Sequence, residues 1–213
     1  MATDLFLRAL AAFFAIMNPF VNLPVFLGLT SNEDPDQQRR TGVWTIFYTT
    51  ILCCVFFFSG SLMLNVFGID IDHFRIAGGL VLLMISLGML RGSGSATHEG
   101  SAKEKAEASK QDPDSVAFYP MSFPMLVGPG SITTIIVFQS QAQTVGEHAL
   151  VFAAMAIVLL MLLVTFYFSG TISRHMSLTL RTIMARLMGM VLVAISIEMM
   201  ANGLARVFPG LVK

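Results

Sequence analysis

Two apolar stretches of this chain each contain a pair of prolines five residues apart, Pro19 with Pro24 and Pro124 with Pro129. A proline inside a helix removes a backbone N–H and clashes with the preceding turn, so an ordinary helix breaks or kinks there. In lipid, a broken helix persists only where it faces protein or a wet cavity, because every freed backbone group needs a partner. Two matched breaks, one in each half, are typical of the binding site of a secondary transporter. The alternative is that neighbouring helices simply repair prolines, which are common in membrane helices.

The composition of the chain is that of a membrane protein. Hydrophobic residues make up 55% of the sequence and charged residues 12%, whereas a soluble domain has about 25% charged residues. A helix needs about 20 residues to span a bilayer, and six apolar runs of roughly this length occur in the sequence. They cover residues 5–29, 43–66, 74–91, 118–139, 148–169 and 186–205. The sequence therefore predicts an all-α integral membrane protein with six transmembrane helices, of which the first and fourth are broken.

Short similarities between the two halves indicate an internal duplication. Phe56–Gly60 resembles Phe166–Gly170, and Arg75–Gly78 resembles Arg186–Gly189, in the same order as the two proline pairs. A repeat of three helices must enter the membrane from the opposite side in its second copy, so we expect two inverted three-helix repeats. The alternative is a chance similarity between apolar segments.

The distribution of basic residues predicts the domain organisation and the orientation. Nine of the 13 Lys and Arg residues lie in or at the ends of three connecting segments, 30–42, 92–117 and 170–186. Since basic loops stay in the cytoplasm, both termini should lie outside. We assign residues 1–91 to the first repeat, 92–117 to a cytoplasmic linker and 118–213 to the second repeat. The linker should be a tether with a short surface helix over residues 103–110.

The second proline segment predicts a seat for a carboxylate. Pro129 suits the first turn of a new half-helix, and Ser131 can cap that turn. The N–H groups at such a start form the positive end of a helix dipole, which attracts anions. Gly128 and Gly130 would let a ligand approach the backbone.

Polar residues of the two broken runs extend this predicted binding site. Asn18 and Asn22 are four residues apart, so they can share one helical face and offer amide donors and acceptors without a charge. Thr133, with Thr134, extends the lining of the site. The alternative for each threonine is a hydrogen bond back to a carbonyl of its own helix.

Glu198 is the acidic residue that lies inside an apolar run. A carboxylate at membrane depth is expensive and often marks a proton pathway, because burial favours a protonated form that can exchange a proton. Asn202 lies one turn later and can hydrogen-bond with it. The alternative is a structural Glu that joins helices. The first half has Gly88 at the corresponding position, so a symmetric pair of acids is absent.

The remaining candidates for chemistry are weaker. Asp70, Asp72, His73 and Arg75 surround a short predicted outer loop, where we expect a solvated loop with an interfacial arginine rather than a metal site. Adjacent Cys53 and Cys54 should be apolar packing residues. We expect no metal, no cofactor, no nucleic acid partner and no enzymatic activity, and the sequence leaves homo-oligomerisation open.

Three motifs together resemble the MarC family over essentially the whole chain. They are Asn18-Pro19-x-x-Asn22-x-Pro24-x-Phe26-x-x-Leu29-Thr30, Phe74-Arg75-Ile76-Ala77-Gly78-Gly79 and Pro120-x-x-x-Pro124-x-x-x-Gly128-Pro129-Gly130-x-Ile132. The resemblance implies a six-span protein of the bacterial inner membrane, related to LysE-type exporters. Some relatives are described as transporters of small neutral amino acids, so we expect transport of these or similar small polar solutes, and Glu198 adds proton coupling as one option. The alternative from another class is a membrane protein with a structural or partner-docking role and no transport.

Overall fold

The protein is described by a computed structural model that covers residues 2–91, 116–175 and 177–209. Every regular element in these ranges is helical. The predicted linker, with its surface helix over residues 103–110, lies almost entirely outside the described residues.

Nine helical segments account for the described chain. They are α1 (Ala2–Met17), α2 (Pro19–Leu29), α3 (Pro35–Val66), α4 (Ile71–Arg91), α5 (Ala117–Leu126), α6 (Pro129–Gln141), α7 (Val145–Tyr167), α8 (Ser169–His175) and α9 (Leu178–Val207). Five stretches are long and apolar enough to cross a membrane, and the bent pair α5 and α6 brings the number to six. The prediction of an all-helical chain with several membrane-length apolar helices is confirmed, and six spans result if the bent pair forms one span.

Both predicted helix breaks are present. The first lies at Asn18, where the backbone angles φ 12° and ψ 96° are not helical, although α1 and α2 continue as one stretch from Ala2 to Leu29. The second lies between α5 and α6, whose axes are bent by 59°. Helix α5 is itself irregular, with cis peptide bonds before Pro120 and Pro124. Gly128 is extended and serves as the N-cap of α6.

Polar side chains determine where several helices begin. The carboxylate of Asp34 accepts hydrogen bonds from the backbone N–H groups of Asp36 and Gln37, so α3 begins eight residues before the apolar run that predicted it. Thr144 and Glu147 cap the start of α7 reciprocally. Such caps satisfy N–H groups that have no partner within the helix.

The helices pack as pairs drawn from the two halves of the chain. Helix α4 lies along α9, α1 packs on α7, and α3 packs on α5, α6 and α7. The core between them is apolar, and it includes the stacked rings of Phe26 and Phe166, whose centroids are 4.5 Å apart. Cys53 and Cys54 are free thiols in this packing.

Glycines allow α4 and α9 to approach closely. A Cβ on Gly79 of α4 would lie 2.8 Å from the carbonyl oxygen of Ser196 on α9, and a Cβ on Gly189 of α9 would lie 3.2 Å from the carbonyl oxygen of Ser86 on α4. The two contacts run in opposite chain directions, so the helices are antiparallel. Each helix therefore places a glycine against the backbone of the other.

We expect Gly79→Ala to destabilise the protein by about 1–3 kcal/mol, because overpacking against backbone cannot be relieved by a side-chain rotation. The new methyl group would also lie 2.5 Å from Cγ of Met200. Thermal unfolding of the purified protein in detergent measures the effect. Gly28→Ala is the matched control, since no heavy atom lies within 4 Å of its Cβ position. Equal melting temperatures for the two variants would contradict this account of the α4–α9 contact.

Candidate functional site

The candidate functional site is a cavity of about 610 Å³ at the end of the bundle where α1 and α4 begin and α6 and α9 end. Its wall combines apolar side chains with amides, three arginines and one glutamate. The lining residues are Arg8, Ala11, Arg75, Phe138, Ser140, Gln141, Gln143, Val191, Ala194, Ile195, Glu198, Met199, Asn202 and Arg206. Below, "the cavity" means the space that these residues enclose.

Glu198 and Asn202 both lie on the wall of the cavity. The Arg8 guanidinium donates to the Glu198 carboxylate, with 2.6 Å between Nη1 and Oε1, and its Nε lies 3.2 Å from Oδ2 of Asp4. The Glu198 side chain is 52% exposed and faces the cavity, and its role in proton coupling stays a prediction. The Glu198 carboxylate pairs with Arg8 rather than with Asn202, which the sequence had predicted as its partner.

Arg75 is more deeply buried than the sequence predicted. We expected an interfacial arginine beside a solvated loop, but Arg75 lies within α4 and only 4% of it is exposed. Its Nη1 donates to Oδ1 of Asp72 at 2.9 Å, one turn earlier on the same helix. The spacing of Asp72 and Arg75 could have predicted this burial. An Asp and an Arg three residues apart at the start of an apolar helix can form an ion pair within the helix, and the paired arginine then tolerates burial.

The floor of the cavity is apolar. Phe138 lines the cavity and packs against buried Phe13, with 6.0 Å between the ring centroids. Deeper in the bundle, a Cβ on Gly130 would lie 2.8 Å from Cδ1 of Ile16 and 3.1 Å from side-chain carbons of Leu82 and Ile85. These three side chains occupy the space beside Gly130 through which the sequence predicted that a ligand could approach the backbone. Ile16 lies two residues before the first break at Asn18, and the two breaks therefore adjoin.

Asn18 and Asn22 repair the first break. Nδ2 of Asn22 donates to the carbonyls of Met17 and Asn18 at 2.7 and 3.2 Å, and Oδ1 of Asn18 accepts from the backbone N–H of Phe20 at 3.1 Å. Both side chains are buried. Nδ2 of Asn18 is buried without a hydrogen-bond partner, so one amide donor at the break is not used by the fold.

At the second break, side-chain hydroxyl groups donate hydrogen bonds to backbone carbonyls. Ser131 Oγ donates across the break to the carbonyl of Leu126 at 2.7 Å. Thr133 and Thr134 donate to the carbonyls of Pro129 and Gly130 at 2.9 and 2.8 Å, which is the alternative role considered for them. The predicted substrate ligands at the two breaks do not line the cavity in this structure, and their role in binding stays a prediction. They are Asn18, Asn22, Gly128, Gly130, Ser131 and Thr133.

The fold and site define a multi-pass helical membrane protein with a polar cavity above two adjoining helix breaks. The sequence profile described as "MarC family integral membrane protein" matches residues 3–208. The chain belongs to the MarC family.

Relatives in several organisms align over nearly the full length of both chains. A UPF0056 membrane protein of Methanocaldococcus jannaschii is 33% identical over 93% of this chain and 95% of its own length. The UPF0056 inner membrane protein MarC of Salmonella arizonae is 31% identical over 90% of each chain. The UPF0056 membrane protein YhcE of Escherichia coli is 30% identical over 93% of this chain and 91% of its own length. No solved structure matches this chain.

We expect Asn22→Ala to lower the free energy of unfolding by about 1–3 kcal/mol, because it leaves the buried Met17 carbonyl without its donor. Thermal unfolding in detergent measures the loss. Asn32→Ala is the matched control, since Asn32 is exposed in the turn between α2 and α3. An unchanged melting temperature for Asn22→Ala would mean that the amide does not support the break.

Proposed function

We propose that this protein is a secondary transporter of small neutral amino acids or similar small polar solutes. The observation that carries the proposal is the cavity of about 610 Å³, which holds both positive and negative side chains in a bundle whose core is mainly apolar. Intramembrane ionisable residues that face a cavity are by default part of a solute or ion pathway. Membership of the MarC family is consistent with this role.

The chemistry of the cavity suits a zwitterion. Arg8, Arg75 and Arg206 supply guanidinium donors, Glu198 supplies a carboxylate, and Asn202 supplies an amide. A zwitterion needs a donor for its carboxylate and an acceptor for its ammonium group, and both are present on one wall. Apolar residues such as Val191 and Ile195 complete the wall, and such surroundings strengthen the electrostatic interactions within the cavity.

The packing of the bundle would let the cavity open to one side of the membrane at a time. The cavity is open at the end where α1 begins, and Phe13 with Phe138 closes its floor. Towards the opposite end, Phe26 stacks on Phe166, and Ser122 Oγ donates to the carbonyl of Thr45 at 2.8 Å. We infer that the adjoining breaks let the half-helices move separately and so open the opposite end, as in other transporters with discontinuous helices.

Two inverted three-helix repeats are part of the proposal. The contacts between Gly79 and Ser196 and between Ser86 and Gly189 are reciprocal, as expected for two helices related by a pseudo-twofold axis. Both serine hydroxyls also donate to the carbonyl three residues earlier, at 2.8 Å for Ser86 and 2.7 Å for Ser196. Residues 1–91 and 118–213 would then form the two repeats.

The proposed location is a bacterial inner membrane with both termini periplasmic. The connecting segments 30–42, 92–117 and 170–186 hold most basic residues and would lie in the cytoplasm under the positive-inside rule. The cavity would then open to the periplasm in this conformation.

Uptake into proteoliposomes tests the proposal. Purified protein should take up labelled glycine or alanine faster than empty liposomes do, with and without a pH gradient. Ala11→Trp should abolish uptake without unfolding the protein, because Ala11 is exposed on the cavity wall and an indole ring there fills the cavity. Ala149→Trp is the matched control, because Ala149 is exposed on α7 away from the cavity. The absence of uptake by folded wild-type protein would favour a role without transport.

Proton coupling through Glu198 is a second part of the proposal. Protonation would break the ion pair between Glu198 and Arg8, which joins α9 to α1, and so would link proton binding to helix movement. Glu198→Gln keeps an oxygen acceptor but fixes the neutral state. The variant should still exchange substrate at equal concentrations and should lose accumulation driven by a pH gradient.

Asp4→Asn is the matched control for Glu198→Gln, since Asp4 is the other carboxylate on Arg8 and its side chain is 66% exposed. The control should keep its pH-driven accumulation. Unchanged pH-driven accumulation in Glu198→Gln would reduce Glu198 to a structural partner of Arg8. Insertion and thermal stability of both variants are measured in parallel.

A further inference from the structure

Arg75 is a buried guanidinium on the wall of an open polar cavity. Arginine is almost never fully buried unless it is paired. The pairing of Arg75 is incomplete. Its Nη1 donates to Oδ1 of Asp72, but its Nε is buried with no hydrogen-bond partner. A guanidinium has five N–H donors, and leaving them unsatisfied in a buried place costs free energy.

Two acidic and two basic groups lie together around Arg75. Nε of Arg206 lies 4.0 Å from the same Asp72 oxygen, so that carboxylate faces two guanidinium groups. Asp70 is the second carboxylate near Arg75 and balances the charge of this group. The unsatisfied donor of Arg75, and not a net charge, is therefore what a ligand would satisfy.

A carboxylate matches what Arg75 lacks. Guanidinium and carboxylate groups form paired, charge-assisted hydrogen bonds that are about twice as strong as neutral ones. The carboxylate of Asp72 holds the guanidinium from the neighbouring turn, so its orientation is set before a ligand enters. Burial keeps water from competing for the same donors.

We propose that Arg75 holds the carboxylate group of the transported solute, and that the site selects solutes with a free carboxylate. This inference rests on the proposed transport function and moves the carboxylate seat from the start of α6 to the wall of the cavity. Asp72 is the positioning residue for the Arg75 guanidinium. The ammonium group of an amino acid would then lie toward Glu198.

Calorimetric titration of the purified wild-type protein in detergent tests the selection directly. L-alanine should bind, and L-alaninamide, which lacks the carboxylate, should bind at least about tenfold more weakly. Equal affinities for the two compounds would overturn the inference, and this comparison needs no variant to fold. Acetate is the third probe: binding by acetate without binding by L-alanine supports the carboxylate seat but contradicts the zwitterionic substrate of the proposed function.

Variants of Arg75 locate the seat. Arg75→Lys keeps the charge but loses the planar fork, so affinity for L-alanine should fall about tenfold, and Arg75→Gln should lower it about a hundredfold. Arg91→Gln is the matched control, because it removes an exposed arginine from the other end of the same helix. If Arg75→Gln does not fold, Arg75→Gln with Asp72→Asn removes the buried pair together and should show the same loss of affinity.

The outcomes separate the inference from the function on which it rests. Transport of alanine with unchanged affinity in a folded Arg75 variant would overturn the role of Arg75 and leave transport intact. Absence of both binding and transport of alanine, glycine and acetate by folded wild-type protein would overturn both proposals.

Discussion

The need to satisfy backbone groups inside an apolar bundle governs the arrangement of this protein. Proline at positions 19 and 129 prevents a continuous helix, so carbonyls near each break lose their usual donors. Asn22 and Ser131 supply those donors from one turn away, and both residues are buried. The breaks adjoin through Ile16 and Gly130, so two weak points of the bundle support one another instead of facing lipid.

The cavity lies above this layer and depends on it. The repaired breaks and the apolar side chains around Gly130 lie beneath the cavity, with the Phe13–Phe138 pair above them. The ion pairs of Arg8 with Glu198 and of Arg75 with Asp72 lie in that upper part, on helices from both halves of the chain. The charged groups of the cavity wall and the helix breaks therefore occupy neighbouring layers of the bundle.

Sequence reasoning located the elements well because their signals are local. Apolar runs of membrane length, prolines and flanking polar residues predicted the spans and both breaks, since lipid leaves helices as the only way to satisfy each backbone group within its own segment. The helix starts were less accurate. Helix α3 begins at Pro35 because Asp34 caps it, so the helix extends beyond the apolar run into water.

The sequence by itself determined that this is an all-helical membrane protein of the MarC family with two broken spans. Only the tertiary structure decided what the polar residues do. Asn22 and Thr133 look like ligands in the sequence, but their hydrogen bonds go to nearby carbonyls, and a carbonyl freed by a break is not visible in a string of residues. Arg75 looks solvated beside a loop, yet the packing of α4 against α9 buries it at a cavity wall. The physical reason is that helix formation depends on neighbours in sequence, whereas a cavity is a gap between helix faces that only packing creates.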